Sequence, residues 1–431
     1  MRRLLFIPVE EAAAMADAVA QCETPDEHLL VVRQPIFDRN KSVWGYELRA
    51  GTATRPSDGA PVTAADMLAA FRATLGQGGD ALARDKKILL TVATESGLDN
   101  SMAEVDCCVF DLCGQAAASP RCRDLVTALH ERGGIVALDA DAGEASMPEL
   151  LGCADIVKIN LTGKTPAEIV RLRARYKTFG GELLATGVAG WEAFEGTRAL
   201  GFKYFQGPFF GVAQAGDDAG LAATATAKLQ LLRELANPDC EMDELAAIIA
   251  SDISLSYRML RYINSASFGL RNKIKSIQQA VSLLGLNEIR HWATVVAMTD
   301  LDSTPKGEEL AYMALQRGRF LSKLAGTIKG FSHSSSTMFM LGLFSLLDAL
   351  LSYPMDKALD NVPLDDEIKA ALCGTLNEFR DWLLMVEAVE LGNWAIANEI
   401  LGRYGACFTQ AATQYMKASA WASSQLHNMH K

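Results

Sequence analysis

Between residues 30 and 210, short β-rich runs alternate with spacers long enough for helices. That rhythm restricts the fold of this chain more than any other feature. The candidate strands cover 31–37, 43–49, 88–93, 108–112, 134–139, 156–161, 182–188 and 204–209. Eight such runs, most of them separated by helix-length spacers, predict an α/β domain: a (β/α)8 TIM-type barrel with a modified start. Barrels of this kind carry ligand-binding groups at the carboxyl ends of their strands. Glu47, Asp111, Asp139 and Lys158 fall there.

From about residue 228 the period changes. Leu255, Met259, Tyr262 and Ile263 follow i, i+4, i+7, i+8 spacing. Ile277, Ala280, Val281 and Leu284 follow i, i+3, i+4, i+7 and run into Gly285, a helix-ending residue. Strand signals nearly vanish, so the second half reads as an all-α domain. The Ala-, Gly- and Thr-rich stretch 215–227 marks the join. The expected organisation is an N-terminal extension over 1–27, a barrel over 28–213, a linker over 214–227 and a helical domain over 228–431.

Composition removes several function classes. The net charge is −11, both halves are mildly acidic, and no concentrated basic face is visible, which argues against a nucleic-acid partner. Arg271, Lys273 and Lys275 read as a solvated loop. The nine cysteines are irregularly spaced and form no paired CxxC knuckles, so no structural zinc is expected. Reduced, mostly buried thiols in a cytoplasmic protein are the natural reading. The apolar run after Arg2 and Arg3 stops at Glu10 and Glu11, too short for a signal peptide. The longest apolar stretch, 338–351, reads as one buried helix, short of the roughly 20 residues a bilayer demands. No membrane span is expected.

The order of motifs in the first half resembles the EAL domain, a cyclic-di-GMP phosphodiesterase barrel, over residues 30–213. Its opening hairpin is matched by Gln34-Pro35-Ile36-Phe37-Asp38 and Gly45-Tyr46-Glu47-Leu48. The resemblance implies hydrolysis by divalent metals held in a ring of carboxylates, yet most of that ring is missing. Glu47 matches the family's naming glutamate, but Gly51 stands where an arginine follows it, with Arg49 shifted. Thr91 replaces a metal-binding asparagine. Asp111 is kept, whereas its acidic successor becomes Cys113-Gly114. Of paired aspartates, only Asp139 remains, before Ala140, and Asp141 is a weaker candidate for a displaced ligand. Lys158 matches the site lysine. A two-glutamate motif reads Ala185-Thr186-Gly187-Val188-Ala189. The closing motif survives as Gln206-Gly207-Pro208-Phe209. Glu47, Asp111, Asp139, Lys158 and Gln206 are therefore read as a vestigial site, with no catalytic residue, no metal and no cofactor. Glu47, Asp139 and Lys158 are expected to satisfy one another as a polar network. Binding of intact cyclic-di-GMP is disfavoured, since the groups that would meet its phosphates are missing.

The second half resembles the HDOD domain, a relative of HD metallophosphohydrolases. The resemblance rests on Asp252-Ile253-Ser254-Leu255-Ser256, Ile263-Asn264-Ser265-Ala266-Ser267-Phe268-Gly269 and the segment from Ser276 to Gly285. Ser345-Leu346 stands about where catalytic relatives carry their His-Asp metal dyad. His291 and His333 form no HxxxH pair and read as packing or surface residues, as do Trp382, Trp394 and Trp421. No nucleophile elbow, P-loop or dinucleotide turn occurs. The combination resembles the EAL–HDOD signalling proteins of bacteria. It implies a non-catalytic regulatory protein acting on unidentified signalling partners, with self-association open. The alternatives are a weak phosphodiesterase using Glu47, Asp111, Asp139 and Lys158, or a cyclic-di-GMP-binding effector without turnover.

Overall fold

The computed structural model describes residues 29–51, 66–67, 69, 86–92, 108–113, 121–140, 151–214, 228–229, 231–232, 234–235, 241–264, 273–360, 362 and 364–430. The N-terminal extension, the 215–227 segment, the motif residues 265–269, Asp141, Cys107, Gly114 and Arg271 lie outside them.

Eight strands close into one barrel in sequence order: β1 (Leu30–Asp38), β2 (Val43–Gly51), β3 (Lys87–Val92), β4 (Cys108–Leu112), β5 (Ile135–Asp139), β6 (Ile156–Asn160), β7 (Glu182–Thr186) and β8 (Tyr204–Gln206). The modified start is β1, which pairs antiparallel with both β2 and β8, while the other neighbours are parallel. Helices α1 (Arg121–Glu131), α2 (Pro166–Arg175) and α3 (Trp191–Ala199) follow β4, β6 and β7. The expected strand over 204–209 ends early. After Gln206 the chain turns through Gly207 into a 3-10 turn, Pro208–Gly211, because Pro208 has no N–H to continue a ladder.

Side chains alternate across each strand, so the barrel interior is layered. One layer is an apolar cluster of Ile36, Leu89, Val109, Ala137, Ile156, Leu184 and Tyr204. Two residues further toward the carboxyl ends of the parallel strands, the inward positions turn polar: Thr91, Asp111, Asp139, Lys158, Thr186 and Gln206. Antiparallel β1 supplies Gln34, and β2 supplies Glu47. The apolar layer is a packed floor and the polar layer is the rim.

The helical half comprises α4 (Met242–Ser251), α5 (Ile253–Ile263), α6 (Ile277–Leu284), α7 (Leu286–Thr299), α8 (Pro305–Ala325), α9 (Ser335–Phe344), α10 (Leu347–Leu351), α11 (Met355–Leu359), α12 (Asp366–Leu372), α13 (Glu378–Glu390), α14 (Trp394–Arg403) and α15 (Phe408–His430). Leu255, Met259 and Ile263 are fully buried, as the helical spacing predicts. Gly285 closes α6 with φ 83°. The long helix α8 packs on α9 and α15 and is buried on nearly every side, as befits a central helix. It crosses α9 at glycines: a Cβ on Gly342 would lie 2.4 Å from Gly318 N. Each buried polar side chain of α8 has a partner, including Lys306 with Ala349 O at 3.2 Å and Gln316 with Ser419 Oγ at 2.5 Å.

Two expectations need correction. The apolar stretch 338–351 is two helices, α9 and α10. The Ser345 hydroxyl donates to Gly342 O at 2.7 Å, and Leu346 leaves helical geometry at φ −123°, ψ 18°. A side chain competing for a helix carbonyl ends the helix in a way hydropathy does not reveal. Cys108, Cys113, Cys122, Cys153 and Cys373 are free, but Cys407 is disulfide-bonded. Proximity of two sulfurs is a tertiary fact that spacing along the chain does not encode. No helix among the described residues is long and apolar enough to cross a membrane.

Candidate functional site

The rim cluster is built around Lys158, delivered by β6 between β2 and β4. Its ammonium donates to Glu47 Oε1 at 3.0 Å and to Asp111 Oδ2 at 2.5 Å. Thr91 Oγ1 lies 3.3 Å from Glu47 Oε1 and 3.2 Å from Asp111 Oδ2, so its single proton serves one carboxylate at a time. The second oxygen of Glu47 accepts from Gln206 Nε2 at 2.6 Å and from Arg49 Nη2 and Nε at 3.0 and 3.2 Å. Gln206 Nε2 also reaches Gln34 Oε1 at 3.2 Å. Both oxygens of Glu47 are thus saturated. Asp111 Oδ1 is buried with no partner among the described residues.

The energetics follow from burial. Glu47 and Asp111 are almost completely buried, and an unpaired carboxylate there would be very costly. Burial pushes the Glu47 carboxyl up, but the nearby Lys158 and Arg49 charges, with hydrogen bonds from Gln206 and Lys158, outweigh it and hold its pKa at about 2. Asp111 goes the other way. Burial is the larger influence, Lys158 offsets it in part, and the charges of Glu47 and Asp139 add to it, so the carboxyl lies above its ordinary value. Burial opposes the Lys158 charge, yet its two carboxylate partners raise it above the ordinary lysine range.

The sequence-derived set is therefore placed as follows. Glu47, Asp111, Lys158 and Gln206 form one hydrogen-bonded cluster. Asp139 stands at the carboxyl end of β5 and acts on Asp111 by charge. The expected partnership of Glu47, Asp139 and Lys158 is corrected: Asp111 takes the ammonium in place of Asp139. The inward positions of β2, β4 and β6 converge there, a geometry that appears only when the barrel closes. Gln34, Arg49 and Thr91 also belong to the cluster. The strand alternation from Ile36 to Gln34 was the signal for the first. Arg49, two residues past Glu47 on β2, shares its face by the same alternation, and its bond to Glu47 confirms it.

In the helical half, the Ser345-Leu346 position is filled by an internal ion pair. Arg317 of α8 holds Glu390 of α13 in a two-pronged contact at 2.8 and 2.7 Å, and its Nη1 donates to Ser345 Oγ at 3.1 Å. Such a fork matches carboxylate geometry closely. His291 packs beside Phe339 and Trp421, and burial pushes its pKa down. His333 packs on Phe379, with its Nε2 3.3 Å from Glu378 Oε1. Trp382 is a core residue, 1% exposed.

Comparison with known proteins fits this two-part construction. Residues 221–356 match the HDOD domain family model. A Bacillus subtilis (strain 168) relative, "Uncharacterized protein YuxH", is 27% identical over 93% of this chain and 98% of its own length. "Cyclic di-GMP phosphodiesterase CdgJ" of Vibrio cholerae is 28% identical over 69% of each chain. Among solved structures, an EAL domain protein from Listeria monocytogenes is 18% identical, covering 48% of this chain and 93% of that one, with a TM-score of 0.32. The Xanthomonas citri FimX EAL domain in complex with c-diGMP is 16% identical, covering 48% and 95%, with a TM-score of 0.34. A closed barrel bearing the EAL motifs, followed by an HDOD domain, defines the class. The chain carries an HDOD domain behind a closed barrel whose motifs resemble those of EAL domains, and in build it is similar to the EAL–HDOD proteins of cyclic-di-GMP signalling.

Proposed function

We propose that this chain is a non-catalytic regulatory protein of bacterial cyclic-di-GMP signalling, acting in the cytoplasm on protein partners rather than on a substrate. One observation carries this reading: the carboxylate ring is depleted, with Thr91 and Thr186 at inward rim positions, while the remaining Glu47 and Asp111 both hold the Lys158 ammonium. The remaining donors do not fit two metals. Both oxygens of Glu47 are engaged, and the neighbouring inward positions are Thr91 and Thr186, whose hydroxyls are poor substitutes for carboxylates around magnesium. Among the described residues, Glu47 and Asp111 are both tied to the Lys158 ammonium, which weakens each as a base for an attacking water. In the helical half the Arg317–Glu390 pair fills the position a metal dyad would need.

The test is incubation of the pure full-length protein with cyclic-di-GMP and manganese or magnesium, followed by chromatography for the ring-opened dinucleotide. No product above buffer is expected. Turnover that disappears in Glu47→Ala overturns the proposal. A second reading, a weak phosphodiesterase or a cyclic-di-GMP-binding effector, is favoured by the likeness to CdgJ and by the unpartnered Asp111 Oδ1. Calorimetric titration with cyclic-di-GMP separates binding without turnover from the first reading, and heat that saturates at micromolar ligand selects the effector.

A further inference from the structure

The helical domain does more than follow the barrel in sequence: the end of α13 is seated on its rim. Gln34 Nε2 donates to Glu390 O at 2.7 Å, and Arg49 Nη1 donates to Leu391 O at 2.9 Å. Gln34 and Arg49 are the side chains that flank Glu47, one through Gln206 and the other directly. The last carbonyls of a helix lack intrahelical partners and carry partial negative charge, so an amide and a guanidinium suit them. Gly392, at φ 69°, turns the chain across Arg49. Trp394 then lies flat on Gly51, where an added Cβ would stand 2.8 Å from the indole.

A second lock sits beside the first. Arg33 of β1 is sandwiched between the rings of Tyr46 and Tyr312, 4.4 and 3.8 Å from their centroids. Glu309 of α8 accepts from Tyr46 Oη at 2.8 Å and from Arg33 at 3.4 Å. Along the same seam lies a cavity of about 400 Å³, walled by Gln34, Gln206 and Phe210 from the barrel and by Arg317, Ser345 and Leu391 from the helical domain.

Buried apolar side chains of both halves belong to one continuous cluster, to which the seam adds these polar bonds. Each is worth about 0.5–1.5 kcal/mol net, because water replaces it on separation. Separation therefore also exposes apolar surface, so the docked form is the ground state and opening needs a ligand or partner that binds the released form better. We propose that the helical domain is a self-docking cover for the β1–β2 side of the barrel rim, and that its release is the regulated step that exposes the Glu47 cluster. The device operates whether or not the barrel turns over a nucleotide. A molecule that fills the seam cavity touches both halves and so favours the docked form.

Hydrogen–deuterium exchange on the full-length protein tests this with three variants. Tyr46→Phe removes one hydroxyl from the second lock, Glu309→Gln removes its charge, and Gly51→Ala pushes Trp394 off the rim. Each is expected to accelerate exchange about tenfold or more, together, in segments 30–51 and 388–396. Exchange in β6, β7 and α9 is expected to stay at the wild-type rate. The sharpest arm is Glu309→Gln or Tyr46→Phe with the readout at 388–396, since neither touches that segment. Unchanged protection at 388–396 in those two variants overturns the proposal. Uniform acceleration through all segments overturns it too, because the seam then opens only with global unfolding. Neither result bears on the hydrolysis assay, so the two proposals fail separately.

Discussion

The barrel rim and the α8–α13 junction both bury charge, and they neutralise it in different ways. The barrel keeps two of its carboxylates and satisfies them with the lysine opposite. The helical domain brings Arg317 and Glu390 together beside Ser345 from separate helices. In the barrel, strand alternation and closure fix where inward side chains stand, so a lost ligand leaves its neighbours facing one another. In the helical domain the ends of α9 and α10 are set by local hydrogen bonding, so the site could be rebuilt with a new pair. Both solutions obey the same constraint, since a buried charge must meet its opposite.

Breaking the barrel cluster has the largest expected effect. Lys158→Met leaves Glu47 and Asp111 buried side by side without their shared cation. A cost of about 3–5 kcal/mol is expected, read as a lower midpoint in urea denaturation. Adding Glu47→Gln and Asp111→Asn to that variant should recover much of it, because no unpaired charge then remains. Breaking the helical pair comes next. Arg317→Met leaves only Glu390 uncompensated, and Arg49 and the rim are untouched. A cost of about 3 kcal/mol is expected, largely recovered in Arg317→Met/Glu390→Leu by the same denaturation measurement. If Arg317→Met proves costlier than Lys158→Met, the comparison is inverted, and the helical junction is the tighter of the two.

The smallest effect sharpens the comparison through pH. The Glu47 pKa is lowered from its ordinary 4.5 to about 2. Its contribution to stability is therefore fully present above 4.5 and lost as pH falls from 4.5 through about 2. Asp111, raised above its ordinary value, has the opposite sign: folding favours its protonated form, so it opposes the acid loss. The stability difference between the wild type and Glu47→Gln should therefore shrink between pH 4.5 and 2. Chemical denaturation at a series of pH values measures it. A difference that stays constant across that window would show that Glu47 is not held ionised by Lys158 and Arg49.

Much of the fold was legible because periodicity is local. The β-rich runs placed seven of the eight strands within two residues of their ends, the eighth overran by three, and 3.6-residue spacing placed α5 and α6. The ends at Gly207-Pro208 and Ser345 were less legible, since each depends on one backbone or hydroxyl choice. The candidate site was legible as a set of inward residues at strand ends, but not as a network. Nothing in the spacing of Asp111 and Asp139 distinguishes which of them takes the Lys158 ammonium. The Arg317–Glu390 pair, the Arg33–Glu309 lock and the seating of Leu391 on Arg49 join residues 73, 276 and 342 positions apart.

By itself the sequence determined a barrel with a polar rim, a helical partner domain and a shortage of acidic ligands, because hydrophobic period and residue type act over a few positions. Tertiary structure alone decided which charges neutralise which and that one domain sits on the mouth of the other. Electrostatic pairing in a low-dielectric interior depends on distances of a few ångströms, and such distances are set only once strands close and helices dock.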